Sequence, residues 1–143
     1  MDKSRTRIIV VGCGRVGSLA ATLLSGRGHD VVVVDRHESA FRNLGPEFSG
    51  FRIAGDASEP SVLKAAEADR AHTLFAATDQ DTLNLFVVQL AREEFHVGNV
   101  VARVFLPEWE GTYREMGIGT VSPVRLAVET FLGAAGIAEG RSR

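Results

Sequence analysis

The feature that most constrains this chain is "IIVVGCGRVGSLAATLL", residues 8–24, in which Gly12, Gly14 and Gly17 follow a β-branched run and open a segment of helical period. In a strand–turn–helix setting this G-x-G-x-x-G spacing has a physical reading. The first glycine permits a tight turn, the second lets backbone approach a pyrophosphate, and the third lets helix and strand pack closely. N–H groups at the helix start then point at the anion. The turn residues Cys13, Arg15 and Val16 border the same space. Arg15 admits two readings, a guanidinium beside the phosphates that distinguishes their number or a solvated residue at a helix start.

The rest of the chain repeats the alternation that the turn begins. Strands are predicted at 7–11, 30–34, 51–54, 73–77, 99–104 and 118–121, and helices at 15–26, 37–44, 60–68, 80–95, 107–116 and 123–135. Continuous Val and Ile runs such as "DVVVV" suit strands buried on both faces, as in a parallel sheet between helical layers. Leu83, Phe86, Val87 and Leu90 are spaced as the buried stripe of the fourth helix. Pro60, Pro107 and Pro123 fit first helical turns. The expected fold is α/β: a Rossmann-like, doubly wound, parallel six-stranded sheet of order 3-2-1-4-5-6 with a C-terminal helix. Residues 1–135 form this single nucleotide-binding domain, and 136–143 a flexible tail.

Composition removes other classes. Net charge is -2, and of 16 basic residues only Lys3 and Lys64 are lysines, with the arginines scattered rather than striped. No nucleic acid partner is expected. No apolar stretch reaches the ~18 residues that span a bilayer, and the first residues lack a signal peptide's apolar centre, which predicts a cytosolic chain. Cys13 is the single cysteine, so one chain builds neither a disulfide nor a cysteine metal site, and no metal is expected.

Asp35 ends the second strand, where an acid accepts hydrogen bonds from an adenosine ribose and favours NAD(H) or an adenine nucleotide over a 2′-phosphorylated one. The neighbouring Arg36 either holds a phosphate or is simply solvated. Open α/β sheets bind ligands beyond the carboxyl ends of their strands, which adds Asp56, Thr78, Asp79 and Arg103. Capping is the competing role for Asp56, Thr78, Asp79 and Asp81. His29, His37, His72 and His96 sit in no recognisable catalytic pattern, so no catalytic residue is assigned. Cys13 near a helix N-terminus also raises a redox sensor, since such a position lowers a thiol pKa; a small residue filling a tight turn is the alternative.

The ordered set "VVGCGRVG", "VVVVDRH", "AGDASEPSVLKAA", "FAATDQDTLNL", "VVARVFLPEW" and "MGIGTVSPVRLA" resembles the RCK/KTN (TrkA-N) domains, nucleotide-binding regulators of potassium channels and transporters, over about residues 6 to 132. The resemblance implies a non-enzymatic regulatory domain that binds NAD(H), ATP, ADP or a related adenine nucleotide and gates a membrane potassium channel or transporter subunit. It implies a phosphate turn at Gly12, Gly14 and Gly17 with Arg15 beside it, a ribose at Asp35, an adenine bordered by Asp56 and Ala57, and a far side closed by Thr78 and Arg103. It also implies a cytoplasmic protein held at the inner face of the membrane through its partner. Its last helix, with Leu126, Phe131 and Leu132, would pack on a neighbouring subunit in a homodimer or larger ring. Whether the chain is a cut-out first lobe or a short natural form stays open. A small NAD-dependent oxidoreductase and the regulatory domain of a Kef-type potassium/proton antiporter are the alternatives.

Overall fold

A computed structural model describes residues 7–137; the tail expected at its far end lies, from residue 138, outside the described residues. Six parallel strands form one sheet: β1 (Arg7–Val11), β2 (Asp30–Asp35), β3 (Phe51–Ala54), β4 (Thr73–Ala76), β5 (Asn99–Arg103) and β6 (Gly119–Val121). Their order is β3-β2-β1-β4-β5-β6, as the alternation predicts. β1 lies at the centre, with Val11 beside Val34 of β2 on one side and Ala76 of β4 on the other. The strand order reverses between β1 and β4, so the chain leaves these two ends in opposite directions and a crevice opens between them.

The β-branched runs explain the layering. Ile9, Val11, Val32, Val34 and Leu74 project to one face, under α2 (Pro60–Ala65), α3 (Asp81–Phe95) and α4 (Glu110–Glu115). Ile8, Val10, Val31 and Val33 project to the other, where they meet Ala21 of α1 (Arg15–Gly26) and Phe48. Successive strand residues alternate between the two layers, and both layers are apolar.

Three helical segments differ from expectation. Residues 37–44 form a 3₁₀ helix at Glu38–Asn43 with no buried residue, not an α-helix. Asp35 takes the His37 N–H at one end and Gly45–Pro46 follow at the other. Six residues that bury only parts of Ala40 and Phe41 do not offset the cost of an α-helical nucleus. The helix predicted over 60–68 stops at Ala65: Glu67 turns left-handed (φ 60°), with its carboxylate beside Arg7, and a short 3₁₀ turn, Ala68–Arg70, follows. Residues 107–116 divide into a 3₁₀ turn at Pro107–Trp109 and α4.

The buried stripe of α3 is also rotated from its predicted line. Asn84, Val87, Val88 and Ala91 face the sheet, whereas Phe86 is half exposed. The last helix, α5 (Pro123–Ala134), is capped by Ser122, whose Oγ accepts the Arg125 N–H at 3.2 Å, and is tied to α4 by a 2.6 Å Arg125–Glu110 ion pair. None of its residues is buried; Leu126 is 52% and Phe131 75% exposed.

Candidate functional site

A cavity of about 540 Å³ opens at the carboxyl ends of the strands, over the crevice between β1 and β4. Gly12 begins the turn after β1 with φ 104°, a conformation that disfavours any side chain. A Cβ there would lie 2.9 Å from the Ala77–Thr78 peptide, so the turn and the end of β4 touch backbone to backbone. Gly17 performs the packing role: a Cβ on it would fall 1.8 Å from the Gly12 carbonyl oxygen. Gly14, at the N-cap of α1, has nothing within 4 Å of its Cβ position, leaving the helix start open to the cavity.

Asp35 clamps this turn. Its Oδ2 accepts the Cys13 N–H and its Oδ1 the His37 N–H, both at 2.8 Å. From the other side Asn43 donates Nδ2–H to the Cys13 carbonyl at 3.0 Å. Both polar groups of Cys13 are thereby held by side chains of the protein itself. The carboxylate also retains acceptor capacity, since each oxygen carries more than one lone pair.

The remaining wall comes from β3, β4 and β5. Asp56 receives both the N–H and the hydroxyl of Ser58 on Oδ1, at 2.9 and 2.7 Å. These bonds, and less strongly the Arg36 charge, hold its carboxyl below the ordinary value. Thr78 and Arg103 meet at the far end, where Arg103 Nη1 donates to the Thr78 carbonyl at 3.0 Å. Arg103 Nε is buried without a partner.

Gly12, Cys13, Gly14, Arg15, Val16, Asp35, Arg36, Asp56, Ala57, Thr78 and Arg103 all line this one cavity, although they come from five separate strand ends. Gly17 lies behind the turn and acts only through packing. The Cys13 backbone faces the cavity, but its side chain is buried between sheet and α1. Burial, then the Asp35 charge, pushes the thiol up to about 11, with Arg52 opposing. This is the reverse of the lowering that a redox sensor at a helix N-terminus requires. Of the four histidines only His37 lines the cavity, with Nδ1 3.8 Å from Asp35 Oδ1.

Two residues that support the site have no signal in motif or spacing alone. Asn43 lies in the 3₁₀ turn that holds Cys13. Asn84, fully buried in α3, bonds to both Thr78 and Arg103. Its place among Val87, Val88 and Ala91 becomes informative only once the buried face of α3 is known.

Fold and cavity together define a Rossmann-like domain with a glycine turn, an acid closing the second strand and a ligand-sized opening at the switch point. Its relatives narrow that class. Residues 8–123 match the family model of the TrkA-N domain, and the chain belongs to that family. It is 38% identical over 125 residues to the Trk system potassium uptake protein TrkA of Streptomyces coelicolor, a match covering 87% of this chain and 56% of the relative. The chain thus spans about half the length of that relative. Among solved structures, the TrkA-N domain of the Escherichia coli inner membrane protein ybaL superposes with a TM-score of 0.80 at 22% identity, over 90% of this chain and 96% of that one. A Shewanella denitrificans Kef CTD in its AMP-bound form gives 0.77 at 26%, over 91% and 80%. No helix among the described residues is long and apolar enough to cross a membrane.

Proposed function

We propose that this chain is the nucleotide-binding regulatory domain of a potassium transport system, reading an adenine nucleotide or NAD(H) and passing its occupancy to a membrane transporter or channel subunit. The observation that carries the reading is the clamp at the strand ends: Asp35 holds the glycine turn in shape while keeping lone pairs for a ribose. Gly14 leaves the start of α1 open to phosphates, with Arg15 beside it. Asp56 and Ala57 border the adenine, and Thr78 and Arg103 close the far half.

Regulation follows if the nucleotide binds one arrangement of the assembly better than another, since only differential affinity shifts an equilibrium. The far wall leads towards α5. Asp81 accepts the Phe105 and Leu106 N–H groups at 2.7 and 3.3 Å just beyond Arg103, and Glu110 then reaches Arg125. The exposed apolar side of α5 is where a second copy would dock, giving the homodimer or ring that the resemblance implies. The protein would act at the cytoplasmic face, held there by its transporter.

The AMP-bound Kef structure supports the antiporter variant of the same reading; the relative of higher identity supports uptake. The titratable side chains an oxidoreductase could draw on here are His37, 75% exposed, and the carboxylates Asp35, Asp56 and Asp79, of which Asp35 and Asp56 are committed to backbone or Ser58 donors. The test is potassium uptake by the native host lacking this gene, complemented with wild type or Gly14→Asp. Wild type should restore uptake and its response to energy state, and the variant should lose the response. Equal behaviour of the two would overturn the proposal.

A further inference from the structure

We infer that Asn84, which does not line the cavity, is a positioning residue that sets the hydrogen-bond polarity of the far wall and biases it towards a dinucleotide. The inference rests on the nucleotide reading above. Asn84 is fully buried in the first half of α3, between the ends of β4 and β5. Its Oδ1 lies 3.0 Å from the Thr78 N and 2.6 Å from Thr78 Oγ1. Its Nδ2 lies 3.0 Å from two carbonyl oxygens, those of Thr78 and Arg103. A backbone N–H can only donate and carbonyls can only accept, so the amide has one orientation, and its two donors and two acceptor sites are all used.

That orientation dictates what Thr78 shows the cavity. Asn84 Oδ1 carries only lone pairs, so the 2.6 Å approach of Thr78 Oγ1 requires the hydroxyl hydrogen between them. The Gln80 carbonyl, at 3.3 Å, is the poorer acceptor and does not receive it. One lone pair of Oγ1 takes the Gln80 N–H at 3.2 Å, in a solvent-exposed bond. The other is left for the cavity, so Thr78 there is an acceptor and not a donor. Arg103 already gives Nη1 to the Thr78 carbonyl, which commits part of its donor set to the wall.

A ligand group opposite Thr78 must therefore donate. A second ribose does so through its hydroxyls, whereas the terminal oxygens of a nucleoside triphosphate only accept. AMP has neither a second ribose nor a terminal polyphosphate to offer this wall and serves as the internal control.

The experiment measures dissociation constants of NADH, ATP and AMP by calorimetry for wild type, Thr78→Val, Thr78→Ser and Asn84→Ala. Thr78→Val should weaken NADH relative to AMP by about 3- to 10-fold, the effect of one hydrogen bond, and Thr78→Ser should restore it. Asn84→Ala removes the better of the two acceptors that hold the hydroxyl hydrogen and leaves the 3.3 Å Gln80 carbonyl to compete with the cavity, so the ratio of the ATP to the NADH constant should fall, by about 3-fold. Adding Thr78→Val to Asn84→Ala should change that ratio less than the single effects sum to. A merely structural Asn84 would lower stability and alter all three constants by one factor, which overturns the inference. If Asn84→Ala does not fold, the Thr78 pair decides: an unchanged NADH-to-AMP ratio in Thr78→Val overturns the inference and a serine-rescued loss supports it. An unchanged ratio with AMP still bound defeats this inference alone; absence of binding by all three ligands defeats the nucleotide reading too.

Discussion

Asp35 and Cys13 are joined across the end of the central sheet by a 2.8 Å hydrogen bond from the Cys13 N–H to the Asp35 carboxylate, whose second oxygen takes the His37 N–H. Both partners are donors, so an amide cannot replace the carboxylate: whichever way it turns, its NH₂ meets an N–H. Asp35→Asn should destabilise the ligand-free chain by about 1 kcal/mol, the net worth of one hydrogen bond, because the amide oxygen can stay on the part-buried Cys13 N–H and leave the exposed His37 N–H to water. Urea denaturation without nucleotide checks this. A carboxylate serving the ribose alone would leave unliganded stability unchanged.

The glycines of the turn separate folding from binding. Gly17→Ala places a methyl 1.8 Å from a backbone oxygen, and helix and strand must part, at a cost of about 3 kcal/mol or more. Gly14→Ala meets nothing in the protein, and alanine at an N-cap costs only about 1 kcal/mol relative to glycine. Thermal melts should therefore show a large fall for Gly17→Ala and a small one for Gly14→Ala. Calorimetry should show Gly14→Ala losing at least 10-fold in nucleotide affinity, because its methyl enters the path of the phosphates.

Cys13 should be inert in the native protein. With its pKa pushed up to about 11, the thiol stays protonated at pH 8, and a thiol reagent should label it only after denaturant is added. The linkage has a definite sign. The folded state holds this proton more tightly than the unfolded chain, whose cysteine titrates near 9. The associated stability is complete below about pH 9 and is lost as pH rises through about 11. Denaturation midpoints between pH 9 and 11 should fall more steeply for wild type than for Cys13→Ala.

Ser122 caps a helix that buries nothing in this chain. Ser122→Ala should fray the start of α5, raising amide exchange around residues 125–127, while lowering global stability by no more than about 1 kcal/mol. AMP affinity should be unchanged, since no α5 residue lines the cavity.

The sheet was legible because "RIIVV" and "DVVVV" are β-branched on both faces, a pattern that suits a strand covered on both sides, and helical segments alternate with them. The glycine turn and Asp35 were legible because their roles depend on local spacing. The helices were read less well where tertiary contacts decide. α2 gives way at Glu67 to a left-handed turn and a 3₁₀ segment that sets the fully buried Ala68 into the core, which no local spacing announces. Phe86 looked like core by spacing, but α3 turns Val87, Val88 and Ala91 to the sheet together with Asn84, which meets the carbonyl at the end of β5. Asn43 and Asn84 have no local pattern of their own; their partners are backbone groups brought together only when distant strand ends align.

The most direct test of the central claim is the melting temperature of the wild-type chain with NADH, ATP, ADP and AMP, beside Asp35→Ala. A ligand at 100 times its dissociation constant adds about 2.7 kcal/mol, a rise of several degrees for a domain of this size. The account predicts such a rise for at least one of these ligands in wild type and its loss in Asp35→Ala. No rise with any adenine nucleotide, or equal rises in both proteins, would contradict it.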